Sequence, residues 1–164
     1  MISPMNRRLV LAIVLVSAVC AARPASADVT AFIGAATTPS NRPVRGFAAG
    51  AGFLVVGFEF EYSDAVENLE SALPGFKTGM GNVYVQNPIE TAGMQFYGTI
   101  GGGLYRERLG DLQETSFGTN VGGGVKISLA GPLRLRLDYR IFTLGGDAQH
   151  RSVQRIYAGL TLGL

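Results

Sequence analysis

Two short stretches place charged side chains at a spacing of two residues. Glu59 and Glu61 alternate with apolar residues in Val56 to Ser63, and Arg134, Arg136, Asp138 and Arg140 alternate with Leu133, Leu135, Leu137, Tyr139 and Ile141. Period two puts each charged set on one face of an extended strand. Carboxylates facing guanidinium groups form ion pairs, so the expected chemistry is a charge network. Lys126 and Arg155 extend it from flanking stretches. A second pattern is His150-Arg151-Ser152, with Asp147 nearby. A histidine two residues from a serine could act as its general base, but no Gly-x-Ser-x-Gly elbow surrounds this serine.

Other chemistries lack the residues. One cysteine, Cys20, and one histidine cannot build a zinc site or a disulfide framework, so no metal or cofactor is expected. Gly101-Gly102-Gly103 is not a phosphate loop, because no Gly-Lys-Ser/Thr follows it. Fourteen basic residues against twelve acidic ones give no basic patch for a nucleic acid.

The charges must be positioned by strands. No helical periodicity appears after residue 28, whereas alternation recurs throughout. Eight strands are predicted, at 29–37, 44–53, 56–65, 78–88, 93–107, 115–128, 132–144 and 152–164. Phe53-Leu54-Val55-Val56 has no turn-forming residue, yet the apolar face is odd-numbered through Phe53 and even-numbered from Val56. That switch of face demands a turn. Short connections near 54–55, 89–92 and 129–131 alternate with longer polar ones near 38–43, 66–77, 108–114 and 145–151. This is the pattern of an all-β, antiparallel up-and-down barrel.

Ahead of the strands, Arg7 and Arg8 precede an uncharged, mostly apolar run from Leu9 to Val19, and Ala25-Ser26-Ala27 offers a small-x-small cleavage site. Residues 1–27 therefore read as a signal peptide cleaved after Ala27, and 28–164 as a single domain. The run is too short for a membrane-spanning helix. Cys20 follows Val19 rather than a small residue, which does not fit a lipoprotein site. Removing Arg7, Arg8 and Arg23 turns a net charge of +2 into −1.

Glycine indicates which face is inside. Gly50, Gly52, Gly57, Gly101, Gly103, Gly122, Gly124, Gly159 and Gly163 share the face of Glu59, Glu61, Arg134 and Arg136. A water-exposed face gains nothing from residues that weaken strands. A narrow barrel interior needs them, because long side chains must fit between close walls. Apolar side chains then face lipid, and Tyr62, Phe117 and Tyr139 lie on that outward face near the long-loop ends as an interfacial belt. The alternative is a secreted lipocalin-like barrel with the arginines outside.

The chain resembles the small eight-stranded outer-membrane β-barrels of Gram-negative bacteria, such as the transmembrane domain of outer-membrane protein A and the opacity adhesins. The resemblance spans 28–164 and rests on the glycine-rich strand centres, on Leu137-Asp138-Tyr139-Arg140 and on the alternating C-terminal strand. It implies an outer-membrane location, contact with outer-membrane lipids, and recognition of the last strand by the barrel-assembly machinery. Members commonly end in Phe or Trp, whereas this chain ends in Leu164. For the lumen, the expected network of Glu59, Glu61, Lys126, Arg134, Arg136, Asp138, Arg140 and Arg155 is read as a plug; the alternative is a gate in a narrow ion or small-solute channel, as the resemblance to outer-membrane protein A implies. His150-Arg151-Ser152 is similar to the His-x-Ser spacing of outer-membrane lipid A deacylases, a remote reading beside a non-enzymatic one. Mixed charges at Asp64, Glu67, Glu70, Arg106, Glu107, Arg108, Asp111 and Glu114 lie in or beside the long loops, where an extracellular partner could bind.

Overall fold

The computed structural model describes residues 26–38, 40–67, 73–146, 148 and 150–164. Eight strands follow in order: β1 (Ser26–Ala36), β2 (Arg42–Phe53), β3 (Val56–Ala65), β4 (Gly75–Gln86), β5 (Met94–Leu109), β6 (Leu112–Ala130), β7 (Leu133–Leu144) and β8 (Ser152–Gly163). Each pairs antiparallel with its sequence neighbours, and β1 pairs with β8, so the sheet closes as a barrel. Closure leaves no unpaired sheet edge. The bulk of the proposed signal segment lies outside the described residues; Ser26 and Ala27 belong to β1, and the Leu164 amide donates to the Ala27 carbonyl at 2.7 Å.

Polarity is inside out. Ile33, Phe58, Ile100 and Leu104 are each more than 60% exposed on the outer face, whereas Glu61, Arg136, Arg140 and Arg155 are buried in the lumen at no more than 2%. The alternation seen in each sequence stretch is the alternation between these two faces.

Two connections differ from the sequence expectation. The stretch 108–114, read as a polar loop, is a two-residue turn at Gly110-Asp111 between long strands. Arg108 and Glu114 therefore sit on strands, Arg108 facing outward and Glu114 on the lumen side opposite Glu107. The outward charges of Arg106 and Arg108 are allowed there because this part of the sheet stands above the apolar belt. Conversely, the short connection expected at 89–92 spans 87–93, with Pro88 preventing continuation of β4 and a tight turn at Ala92-Gly93 closed by Thr91 and Met94. Phe76, read as part of a loop, is a lumen residue of β4.

The turn demanded between Phe53 and Val56 exists at Leu54-Val55. Leu54 has φ of 54°, as Gly110 (60°) and Gly131 (54°) do at the same position of their turns. A positive φ at the first central residue is the signature of a type II′ hairpin, which strongly favours glycine there. Leu54 therefore carries strain that Gly110 and Gly131 avoid. Leu54→Gly is expected to stabilise the barrel by about 1 kcal/mol, and Gly131→Val to destabilise it by about 1–3 kcal/mol. Equilibrium urea unfolding of the refolded protein checks both, and a lower midpoint for Leu54→Gly contradicts the strain assignment.

Candidate functional site

The lumen is built in layers. Strands β3 and β7 face each other across the barrel and supply most of the charge. Arg136 donates through Nη1 and Nη2 to both carboxylate oxygens of Glu59, the second at 3.1 Å, and through Nη2 to Asp138 at 2.8 Å. Its Nε donates to the Tyr97 hydroxyl at 2.7 Å, and that hydroxyl donates to Asp138. Arg140 touches three carboxylates: Glu59 at 2.9 Å, Asp138 at 3.1 Å and Glu61 at 3.1 Å. Glu61 also accepts from the Tyr157 hydroxyl at 2.7 Å.

Above this layer, Arg155 donates to Ser63 at 2.5 Å and lies 3.9 Å from Glu61. Its guanidinium stacks at 4.2 Å from the Phe142 ring centre, with Phe76 at 5.4 Å on another side. Aromatic faces compensate a cation that has few hydrogen bonds of its own. Below, Lys126 pairs with Asp28 at 2.5 Å and approaches the rings of Tyr84 and Tyr97. Tyr84 fits because its cross-strand partner is Gly57: a Cβ there would lie 2.2 Å from the ring.

Arg134 is not part of this layer. It is part-exposed at the rim and pairs with Glu90 of the 87–93 connection at 3.2 Å, with Gln95 at 3.4 Å. Strand position explains this: Arg134 is the second residue of β7, two residues closer to the rim than Arg136. Asp28 was missed in the sequence reading, although it shares the inward parity of Thr30 and Phe32 on β1. With Asp28 included and Arg134 at the rim, the ion-paired network holds Lys126, Arg136, Arg140 and Arg155 against Asp28, Glu59, Glu61 and Asp138. Arg42 and Glu107, also buried, add one charge of each sign. The five bases and three acids named from the sequence thus give way to balance.

Toward the end that carries the 37–41 and 145–151 connections, an apolar cluster fills the lumen beside a buried couple of opposite charges, Arg42 and Glu107, at 5% and 8% exposed. Val44, Phe76, Phe142, Leu144 and Val153 are all at most 4% exposed, and Tyr105 joins them with its hydroxyl donating to the Gly145 carbonyl. The lumen therefore has an ionic floor and a largely apolar lid that includes the Arg42–Glu107 couple. On the outer surface, Tyr62 is half-buried against Phe47 at 5.6 Å between ring centres, and Phe117 and Tyr139 are 58% and 43% exposed. His150 and Ser152 are exposed near the fourth connection, and Asp147 and Glu70 lie outside the described residues.

No family model matches the sequence, and no curated protein matches it either. Solved structures do. The N-terminal β-barrel domain of Pseudomonas aeruginosa OprF aligns with a TM-score of 0.66 at 12% identity, over 85% of this chain and 97% of that one. Neisserial surface protein A aligns at 0.63 and 18% identity, over 86% and 97%. The outer membrane enzyme PagL aligns at 0.53 and 14%, over 82% and 98%. The chain has the fold of the small eight-stranded outer-membrane barrels. At these identities the likeness is one of fold, and the lumen chemistry must be argued from this chain's own residues.

That chemistry makes unequal demands on the arginines. Removing Arg140 takes a cation from three buried carboxylates and leaves Glu61 with the Tyr157 hydroxyl and an Arg155 guanidinium 3.9 Å away, so Arg140→Met is expected to cost about 3–5 kcal/mol. Arg134→Met, at the part-exposed rim, is expected to cost under about 1 kcal/mol. Urea midpoints of the two variants test the layering; equal small losses would remove Arg140 from its central place.

Proposed function

We propose that the chain is an integral outer-membrane β-barrel with a structural or surface-interaction role, non-enzymatic and closed to solutes. The supporting observation is the inside-out barrel whose balanced ionic interior lies beneath a largely apolar lid. A girdle of exposed Ile, Phe, Leu and Val surrounds the strands. Such a continuous apolar surface is not stable in water and is what a bilayer requires. Strands of 10 to 19 residues are long enough to cross it. A soluble lipocalin-like barrel would need the reverse arrangement of polarity.

Outer-membrane lipids are then the surrounding partner, and the barrel-assembly machinery would read the C-terminal strand, where β8 closes on β1. Residues 1–27 would direct export. An extracellular partner would meet the connections at the end opposite the chain termini, one of which, Gly110-Asp111, is only two residues long. Catalysis finds little footing in the lumen, because its acids are bound to arginines and tyrosines beneath Phe76 and Phe142.

The channel reading needs a continuous wet path, and the lid interrupts it. Planar-bilayer recording of wild type and Arg136→Ala is expected to show no discrete conductance steps in either. Unitary steps would favour the narrow-channel alternative. Membrane insertion itself is read from gel mobility: the unboiled protein of the membrane fraction should migrate differently from the boiled one, and a soluble periplasmic product would overturn the proposal.

A further inference from the structure

The outward faces of the strands carry very few charges, and these are not spread evenly. Arg45 on β2, Asp64 on β3, Lys77 on β4, and Arg106 and Arg108 on β5 all point outward near one end of the barrel. The outward positions of β1, β6, β7 and β8 carry no Lys, Arg, Asp or Glu among the described residues. Cations that merely met the bulk headgroup layer would ring the barrel. These occupy one side.

Register makes them a line. Arg45 pairs across the sheet with Asp64, Asp64 with Lys77, and Lys77 with Arg106. The next outward row toward the middle of the barrel is Phe47, Tyr62, Gly79, Leu104 and Phe117, again partner to partner. A polar row therefore lies directly against an apolar and aromatic one. Lys77 remains 55% exposed and only 3.9 Å from Asp64, and Arg45, Arg106 and Arg108 are exposed. A notch of about 330 Å³ runs between these side chains. It shares Arg45 and Asp64 with an apolar groove of about 740 Å³ that continues down the outer wall past Ile33, Phe47, Leu135 and Leu160.

We infer that this surface holds one phosphorylated glycolipid of the outer leaflet, its phosphates on Arg45, Lys77 and Arg106 and an acyl chain along the groove. The inference rests on the membrane reading above. Arg45, Lys77, Arg106 and Arg108 outnumber the Asp64 and Glu67 carboxylates that also line the notch, so charge complementarity selects an anion, and the continuous groove selects one that carries hydrocarbon. Size selects two phosphates over one: β2 to β5 span three strand spacings, about 14 Å, which a single phosphate cannot bridge. Arginine and lysine in the low-dielectric headgroup region form strong charge-assisted bonds to phosphate.

The test uses the folded full chain in a zwitterionic detergent and native mass spectrometry of retained lipid. The probes are a bisphosphorylated diglucosamine glycolipid, its monophosphorylated form, phosphatidylglycerol and inorganic phosphate. Wild type should retain one bisphosphorylated glycolipid. The combined variant Arg45→Ser, Lys77→Ser and Arg106→Ser should bind it at least about tenfold more weakly. Arg151→Ser, in the fourth connection, should bind as wild type does. The heat-dependent gel shift certifies that each variant is folded. Unchanged retention by the combined variant overturns the site. Equal retention of phosphatidylglycerol overturns the two-phosphate assignment, and equal competition by millimolar inorganic phosphate overturns the lipid assignment. A folded wild type with no lipid preference refutes this inference alone, whereas a soluble product refutes the membrane reading beneath it.

Discussion

Arg140 binds three carboxylates, two of them on the opposite wall of the barrel. A single side chain can do this because eight strands close into a cylinder so narrow that opposite faces are within an arginine's reach. The same closure dictates why the charges are there at all. With the outer surface given over to apolar side chains, the strands' inward positions are the ones left for Glu59, Glu61, Arg136 and Asp138. Buried charges are tolerated only when neutralised and hydrogen-bonded. Balance between the four cations and four carboxylates of the network follows from that demand, and the tyrosines at 97 and 157 add hydrogen bonds to Arg136 and Glu61.

Filling the lumen is a problem of volume as much as of charge. Tyr84 stands over Gly57, its register partner, so one strand yields the space that its neighbour's ring occupies. Glycine in a strand interior ordinarily weakens it. Here the lost side-chain packing is replaced by a ring from the adjacent strand. The ring in turn gives Lys126 a face to rest against, so a backbone choice on β3 affects how a cation on β6 is held.

Parity made most of this legible in the sequence. The alternation of Leu133 to Ile141 put Arg136, Asp138 and Arg140 on one face, and the change of apolar parity between Phe53 and Val56 located a turn that no turn residue announces. Parity could also have found Asp28, but a position expected at the new N-terminus was not carried into the strand. Arg108 and Glu114 were read as loop because charge is a poor marker of where a sheet ends: strands that rise beyond the apolar belt can bear charge on both faces. Partner choice was harder to read. Glu59 has carboxylate oxygens on two arginines because of side-chain reach across the lumen, which residue spacing within one strand does not encode. The apolar lid was equally hidden, since Val44, Phe76, Leu144 and Val153 come from four strands and meet only when the sheet closes.

The lid and the ionic layer together decide what an opening would require. Were Arg136 to release Glu59 and keep Asp138, the path would still meet Phe142 and Leu144, whose side chains offer water no polar group. Displacing the lid alone would expose Arg155 and Glu61 while leaving Arg140 spanning the lumen beneath them. Conduction therefore needs two rearrangements of different character, one desolvated and one ionic. They are not independent either: Arg155 stacks on Phe142 and faces Glu61, so moving the ring removes the cation's principal neighbour. The residue that joins the two layers thus makes each a support for the other, and favours a closed barrel.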